Sequence, residues 1–554
     1  MRNSRLAILV SLLIALGLFL PGINWGLPSR AVDPFLFGDQ APWPGENVLA
    51  LAPPDSPRRG ADVDANPIAR GSGPVVLNAT DAQRAEIILR YRLYSHQPDE
   101  MITFRSLARI RQLRGDPRLY QYGGLWIYPV GAMLQGADIV GLADVRGDQA
   151  FYLDRPEAFG RFYVVARVYT LLWGLVATWA VFWIIARLTG STLLAAAGAV
   201  CFEAMPVVVN MAHEAKPHLP GLSLTLLGVI AAAKYVDTGR QKWAIVAGVL
   251  CGAAFGMVIS GLLALAVLPV MVLLRPRSNR ERLTNLFLAG LVAIATYVLF
   301  NPFVAINAVA DRELLRSNFG NSTDMYRISL GGVGNALRLI IEGASPVVVI
   351  GGVIGLAVLL WARVRRSQLN CIEACPGRGD VGWLLLAPTI VVMLQFVLLA
   401  SGKPPEYARF GLLPDTFLVV AAFAAVAHLH GNKPRAVLAI ALAVMTLPYG
   451  LMYVRAFVRD SNPAQNSRLA AARHIKDAGA STIHVVAEPA PYSMPPVDLF
   501  KQQLILTRPD ESTGADVHVA AEPGRSATPI SWADVPFTLS TSRRVGATTV
   551  SSPP

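Results

Sequence analysis

About eleven apolar runs divide the chain, and each approaches the roughly 20 residues that a helix needs to cross a bilayer. They lie at 6–20, 162–186, 191–211, 217–235, 243–257, 259–274, 284–300, 344–362, 382–400, 411–429 and 436–454. The stretch 243–274 is too long for one helix, so we divide it near Ser260. Only 16% of the 554 residues are charged and 53% are hydrophobic, too little charge for the surface of a water-soluble protein of this length. We therefore predict a mainly α-helical, polytopic membrane protein with about eleven transmembrane helices.

The charges between the runs indicate an orientation. The short loops "TGRQK", "RPRSNRER", "RVRRSQ" and "HGNKPR" are basic, whereas "HEAKPH" and "SGKPPEYAR" on the opposite side are mixed. Basic short loops stay in the cytoplasm, which places the N-terminus inside and the long loop 21–161 and the C-terminus outside. These loops contain much of the lysine and arginine that gives the net charge of +12. The sequence has no basic stripe with interleaved aromatic residues, so we do not predict nucleic-acid binding. The alanine- and arginine-rich composition favours a bacterial inner membrane.

The same sequence pattern predicts three parts of the chain. Residues 1–455 form the transmembrane domain, which includes the large outer loop 21–161. Residues 456–540 form a small α/β extension on the outer face, since "STIHVVAE" and "DVHVAAE" are typical of strands. The tail 541–554 is predicted to be disordered.

Within the large loop we predict two amphipathic helices along the membrane surface. The first follows Asp81, and the second runs from Pro98 to Gly115.

Three outward segments carry ionisable or polar side chains next to predicted spans. Their candidate functional residues are His96, Asp99 and Glu100 in the first, His213, Glu214, Lys216 and His218 in the second, and Lys403, Tyr407 and Arg409 in the third. Ionisable groups at a membrane boundary are a functional hypothesis by default. Each segment also has a plain structural interpretation: a helix start rich in acids, a polar turn between two spans, and basic side chains extending to the interface.

Together the three segments suit one reaction, the transfer of a group from a lipid-linked phosphate to a hydroxyl. The hydroxyl needs a general base, which a carboxylate supplies within hydrogen-bonding reach. The leaving phosphate needs positive charge, and the lipid tail needs an apolar groove between membrane helices.

Several motifs resemble a known family. In chain order they are "INWGLPSR", "QPDE", "GDPRLYQYGGLWIYPVGAML", "HEAKPHLPGLSLTLL", "LFNPFVAI" and "EYARFGLLPDTFLVVAA". Over about residues 6–455 their order and spacing are similar to those of type-C membrane glycosyltransferases, which include protein O-mannosyltransferases and lipid A aminoarabinose transferases. Here Lys-Pro-His stands at 216–218, where relatives often have Lys-Pro-Asp.

This resemblance implies inverting transfer of a sugar from a polyprenyl-phosphate donor to a hydroxyl of a lipid, glycan or protein acceptor. It implies Asp99 as the base. Glu100 cannot share that role on a helix, because adjacent side chains point about 100° apart; it is expected to orient Asp99 or to bind a metal.

Binding roles are predicted for the remaining residues. Lys216, Lys403 and Arg409 are expected to hold the donor phosphate, and His96 and Tyr407 to contact substrate.

A divalent cation is a further prediction. His213, Glu214 and His218, together with Glu100, offer ligand types that such ions accept. A helical 213–218 would separate the two histidines by about 140°, so the segment must unwind at Pro217 for both to bind one ion. The alternative is that no cation is present and Lys216 serves alone.

Two other functions stay open. A carrier or flippase for lipid-linked intermediates would place ionisable groups near the bilayer midplane and would contain broken helices. A non-catalytic envelope-assembly protein would have the same scaffold without the need for Asp99.

Overall fold

The computed structural model describes residues 2–52, 75–323, 326–368, 380–402, 408–486, 495–507, 517–520 and 549–551. It is mostly helical, at 76%, as the apolar runs predicted. The helices are α1 (Arg2–Phe19), α2 (Asp33–Leu36), α3 (Gly45–Leu51), α4 (Asp81–Leu93), α5 (Met101–Arg109), α6 (Gly124–Ile139), α7 (Gln149–Asp154), α8 (Pro156–Thr189), α9 (Thr192–Glu203), α10 (Pro206–Ala212), α11 (His218–Thr238), α12 (Gln241–Met257), α13 (Val267–Leu274), α14 (Asn279–Phe300), α15 (Pro302–Ala310), α16 (Arg312–Thr323), α17 (Gly331–Ala344), α18 (Pro346–Gln368), α19 (Asp380–Gly402), α20 (Leu412–Val426), α21 (Asn432–Ser461) and α22 (Ser467–Asp477).

Every predicted apolar run coincides with an apolar helix, but not every helix is a full span. Six helices in the described ranges are long and apolar enough to cross a membrane: α8, α11, α14, most of α19, Arg409–Val426 and α21. Two more runs are bent pairs, α9 with α10 at 66° and α17 with α18 at 111°. Three are shorter apolar segments, at Ser4–Phe19, Gln241–Met257 and Ile259–Leu274. Length and composition thus support six to eight spans, and the predicted eleven are not established.

Both bends stand immediately before a proline. Met205 precedes Pro206 and has the extended conformation, with ψ at 132°. Ser345 precedes Pro346 and has φ 83° and ψ 151°, a region that only glycine adopts readily. A proline disfavours the helical conformation at the residue before it, which explains the bend inside the predicted span 191–211. The predicted division of 243–274 is confirmed, with the break at the extended Val258.

The chain forms two compact units. The first contains residues 1–20, 113–129 and 169–453. Its helices α12 and α14 pack closely at two glycines of α12. A methyl group added to Gly248 would lie 2.4 Å from the Ala289 carbonyl oxygen, and one added to Gly252 would lie 2.3 Å from the Ala293 carbonyl oxygen. Small residues bring helix backbones together in this way inside membranes.

The second unit contains residues 21–112, 130–168 and 454–554. Helix α4 begins at a capping box in which the Gln83 amide donates to Thr80 Oγ1 and the Thr80 amide donates to Gln83 Oε1. The second predicted loop helix is shorter than expected: a 3₁₀ turn at Pro98–Glu100 leads into α5, which ends at Arg109 and not at Gly115.

The second unit also contains a five-stranded sheet. Its strands are β1 (Val75–Val76), β2 (Thr482–Val486), β3 (Gln503–Thr507), β4 (Val517–Ala520) and β5 (Thr549–Ser551), in the order β1-β3-β2-β4-β5. The segments predicted as strands contain β2 and β4, which pair in parallel. Strand β5 lies inside the tail that we predicted to be disordered; its β-branched Thr549 and Val550 favour a strand that pairs with β4. The predicted domain boundaries stay predictions.

Candidate active site

The two neighbouring acids of the first segment, Asp99 and Glu100, lie in different surroundings. The 3₁₀ turn Pro98–Glu100 places the Asp99 side chain half-buried, whereas Glu100 has no exposed surface. The turn therefore separates the two carboxylates, as predicted from their adjacent positions.

A buried arginine holds Glu100. Arg167 donates from Nε to Glu100 Oε1 at 2.9 Å and from Nη2 to Oε2 at 2.7 Å, and both side chains are fully buried. Ser95 Oγ also donates to Oε2, at 2.5 Å. The third guanidinium nitrogen of Arg167 donates to the carbonyls of Ile23 and Trp25, each at 2.8 Å. Glu100 is therefore a fixed point of the turn, and its predicted metal-binding role finds no support in this geometry.

Arg167 was missed by the sequence analysis. It lies within the apolar stretch "RFYVVARVYTLL", which we interpreted as an ordinary span. A charge within such a run is itself a signal of function or of a buried partner.

His96 lies close to the backbone of residues 25–26. Its amide donates to the Gly26 carbonyl at 2.8 Å, and its ring centroid is 6.1 Å from that of Trp25. Burial, followed by the positive charges of Arg468 and Arg167, lowers the pKa of His96 well below its usual value. His96 is therefore neutral at physiological pH. We therefore expect the predicted contact of His96 with substrate to be a hydrogen bond and not an ion pair with phosphate.

Gly26 is the residue that leaves room for this histidine. It has φ +57°, and an added methyl group would lie 2.5 Å from His96 Cγ. We expect Gly26→Ala to destabilise the protein by about 1–3 kcal/mol, because the left-handed backbone and the clash both oppose the substitution. Thermal unfolding of the purified protein measures the effect. Gly136→Ala is the matched control, since nothing lies within 4 Å of its added methyl group; equal stability of the two variants would contradict the prediction.

The second segment, residues 213–218, is buried and is not an exposed polar turn. Residues 213–217 are non-helical between α10 and α11, which is the conformation that a shared ion would have required. Lys216 Nζ lies 3.2 Å from Glu214 Oε2, and neither side chain has exposed surface. Asn210 donates to Glu214 Oε1 at 3.1 Å, and His213 Nδ1 donates to the Val209 carbonyl at 2.8 Å. Glu214 is thus the counterion of Lys216, and His213 is bound to the backbone.

His218 lies between two aromatic rings. Its ring centroid is 6.2 Å from that of Tyr122 and 5.1 Å from that of Phe410, with both pairs nearly perpendicular. Within the described residues, no three histidine, cysteine, aspartate or glutamate side chains are grouped as metal ligands. The predicted metal set of Glu100, His213, Glu214 and His218 is therefore not supported.

One pocket brings two predicted residues together. His218 and Arg409 both line a pocket with a cavity volume of about 60 Å³, along with Thr225 and Gln395. Most of its other walls are apolar, and the guanidinium of Arg409 lies 5.3 Å from the centroid of the Phe410 ring. A pocket with a cation at one point and apolar walls suits an amphipathic anion. Lys403 and Tyr407, predicted to belong to the same site, lie outside the described residues.

Two buried acids were also missed. Glu203 and Asp415 have no exposed surface, and in the described part of the chain none of their four carboxylate oxygens has a hydrogen-bond partner. Each is an isolated acid in an apolar run, which is the signal that could have identified them.

A third missed cluster lies in the loop before α6. Tyr120 Oη lies 3.0 Å from both carboxylate oxygens of Asp116, and Asn307 Nδ2 donates to Asp116 at 2.9 Å. Burial and the nearby carboxylate raise the pKa of Tyr120. The Tyr120 phenol therefore stays protonated, and Asn307 joins this loop to α15 by its hydrogen bonds to Asp116 and Tyr120.

Comparison with known proteins gives one family match. Residues 157–305 match the family described as dolichyl-phosphate-mannose-protein mannosyltransferase. This range includes Arg167 and the segment 213–218 but not Asp99. No curated protein sequence matches the chain.

Solved structures show weak overall similarity. Apo ArnT from Cupriavidus metallidurans is 14% identical over 84% of this chain and 96% of that chain, with a TM-score of 0.44. The same enzyme bound to undecaprenyl phosphate is 14% identical over 70% and 71% of the two chains, with a TM-score of 0.41. The apo oligosaccharyltransferase of Archaeoglobus fulgidus is 12% identical over 82% of this chain and 56% of that chain, with a TM-score of 0.41. Residues 157–305 therefore carry the similarity of this chain to the dolichyl-phosphate-mannose-protein mannosyltransferase family, in line with the motifs that resemble protein O-mannosyltransferases.

Proposed function

We propose that this protein is an integral membrane glycosyltransferase. It moves a sugar from a polyprenyl-phosphate donor to an acceptor hydroxyl on the outer face of the membrane, with inversion at the sugar carbon and with Asp99 as the general base. The family match over residues 157–305 supports the reaction class.

The different surroundings of Asp99 and Glu100 carry this assignment. Glu100 is held by Arg167 and Ser95, so the turn beside it has a fixed position. Asp99 follows from that position and keeps part of its surface exposed. A general base must be both held in place and reachable by the hydroxyl that it deprotonates, so the anchored turn and the partial exposure of Asp99 support this assignment.

The donor phosphate is assigned to the pocket of His218 and Arg409. Arginine binds phosphate with two parallel hydrogen bonds, and the apolar walls suit the first isoprene units of the lipid. Lys216 contributes less charge than the sequence predicted, since Glu214 lies beside it. Lys403 and Tyr407 remain proposed donor contacts.

We expect Arg409→Ala to weaken binding of a polyprenyl-phosphate sugar by about tenfold or more, a loss of about 1.4 kcal/mol or more, because a charge-assisted pair is removed. Acceptor binding should stay unchanged. Titration of detergent-solubilised protein with the labelled donor measures the effect. Arg312→Ala, at an exposed position, serves as the control. An unaltered donor affinity in the Arg409 variant would place the phosphate elsewhere.

A carrier function is the second candidate, because the structure has two features that we expected of a carrier. It contains two bent helix pairs, and it contains the buried acids Glu203 and Asp415 inside apolar helices.

One experiment distinguishes the two functions. Purified protein in lipid vesicles receives labelled polyprenyl-phosphate sugar and an envelope extract as a source of acceptors. A glycosyltransferase releases polyprenyl phosphate and forms a new glycosidic bond, whereas a carrier moves the intact donor between leaflets. Donor that crosses without any new bond would overturn the proposed enzyme.

A further inference from the structure

Asp415 is a buried acid to which the proposed reaction gives no role. It lies in the first turn of α20, six residues after Arg409, and none of its side chain is exposed. Over the described residues, neither carboxylate oxygen has a hydrogen-bond partner.

Two glycines make the space that its carboxyl group occupies. A methyl group added to Gly343, near the end of α17, would lie 2.8 Å from Asp415 Oδ2. One added to Gly411, the residue before α20, would lie 3.4 Å from the same oxygen and 3.6 Å from the ring of Phe396. We call this space the glycine notch, formed by Gly343 and Gly411. It joins the end of α17 to the 3₁₀ turn Ala408–Gly411, which carries Arg409 and Phe410 of the pocket.

A negative charge does not suit this notch. An ionised carboxylate buried without a partner loses its hydration and gains nothing in return. The C-terminal end of α17 adds partial negative charge from its last carbonyl groups, next to Gly343. The amino end of α20, where Asp415 lies in the first turn, favours an anion, but this effect is small beside the cost of an unpaired buried carboxylate. The balance favours the neutral carboxylic acid, which fills the same volume at much lower cost.

We propose that Asp415 is protonated and acts as a positioning residue, holding the Ala408–Gly411 turn and its Arg409 against α17, an inference that rests on the donor pocket proposed above. The neutral carboxyl group fills the glycine notch, and the turn packs against it through Gly411. Removal of the group, or its displacement by a methyl group at Gly343, loosens the turn.

Four variants test this role. Asp415→Asn keeps the shape of the side chain without an ionisable group, and Asp415→Ala leaves the glycine notch empty. Gly343→Ala fills the notch with a methyl group, and the fourth variant is Gly334→Ala. The last is the matched control on the same helix, because its added methyl group has nothing within 4 Å.

Infrared difference spectroscopy tests the proton directly. The full-length protein in lipid should show the carbonyl band of a protonated carboxylic acid that disappears in Asp415→Asn. A Glu203→Gln variant identifies any band from the other buried acid. Absence of an Asp415 band would overturn the proposal.

Amide hydrogen exchange at residues 409–412 tests the positioning role without any substrate. Exchange should be faster by about tenfold or more in Asp415→Ala and Gly343→Ala, which corresponds to about 1.4 kcal/mol of lost protection. It should be unchanged in Asp415→Asn and Gly334→Ala. Equal acceleration in the asparagine and alanine variants would contradict the proposal, because a neutral group of the same shape would then fail to hold the turn. Donor affinity should be lower in Asp415→Ala and Gly343→Ala and unchanged in Asp415→Asn and Gly334→Ala. If the unsubstituted protein binds no donor, the proposed function is wrong, but the exchange rates still test the role of Asp415.

Discussion

Replacement of Asp99 by asparagine should lower the rate of sugar transfer by about two to four orders of magnitude, because general-base catalysis contributes that much and an amide cannot accept the proton. The amide keeps the size and shape of the side chain, so folding and donor binding should be unchanged. Initial rates with a saturating polyprenyl-phosphate sugar measure the effect, with a parallel donor titration to separate turnover from binding.

Asp144→Asn is a suitable control for Asp99→Asn. Asp144 is another acid of the second unit, and its partner Arg146 is exposed. Its transfer rate should stay close to that of the unsubstituted protein. If the Asp99 variant also retains a near-normal rate while folded, Asp99 is not the base, and the assembly-protein alternative gains support.

Replacement of Arg167 by alanine should reduce the stability of the protein by about 3–5 kcal/mol, because it leaves the Glu100 carboxylate buried without its counterion. Both side chains have no exposed surface, and the arginine also binds the carbonyls of Ile23 and Trp25. Lysine should not restore the stability, since it cannot form the two parallel bonds of the guanidinium group. Thermal unfolding in detergent, followed by circular dichroism, measures the loss.

Removal of both charges gives the sharper version of this test. Arg167→Met combined with Glu100→Gln should be more stable than Arg167→Ala alone, because no uncompensated charge remains. Arg146→Ala, which breaks an exposed pair, should change stability by less than about 1 kcal/mol. An Arg167→Ala variant as stable as the Arg146 variant would mean that the buried pair does not hold the turn.

The apolar helices could be predicted from sequence because their signal is local. A run near the length of a span, such as 284–300, needs no knowledge of its neighbours, and the structure has α14 there. The bends were harder to predict. The signal for the break before Pro206 is one proline in an apolar run, and many membrane helices accommodate such a residue without a break.

The site residues show a different limit. Asp99 and Glu100 are adjacent and chemically alike, and what distinguishes their surroundings is Arg167, which binds Glu100 from 67 residues further along the chain. The burial of Lys216 with Glu214 is likewise a property of packing. The sequence can nominate candidate residues for the chemistry, but only the fold determines which charge each of them faces.

The pairing of β1 with β3 constrains the order in which the parts of the protein can fold during synthesis. Val75 and Val76 lie opposite Leu506 and Ile505, and Asn78 donates to the carbonyls of Leu499 and Gln502. These partners follow the apolar helix α21 in the chain, so they are synthesised after the apolar helices that the structure describes between β1 and β3. Until then the segment that carries β1 has an unpaired edge strand, and a chaperone bound to it during this period would protect it from aggregation.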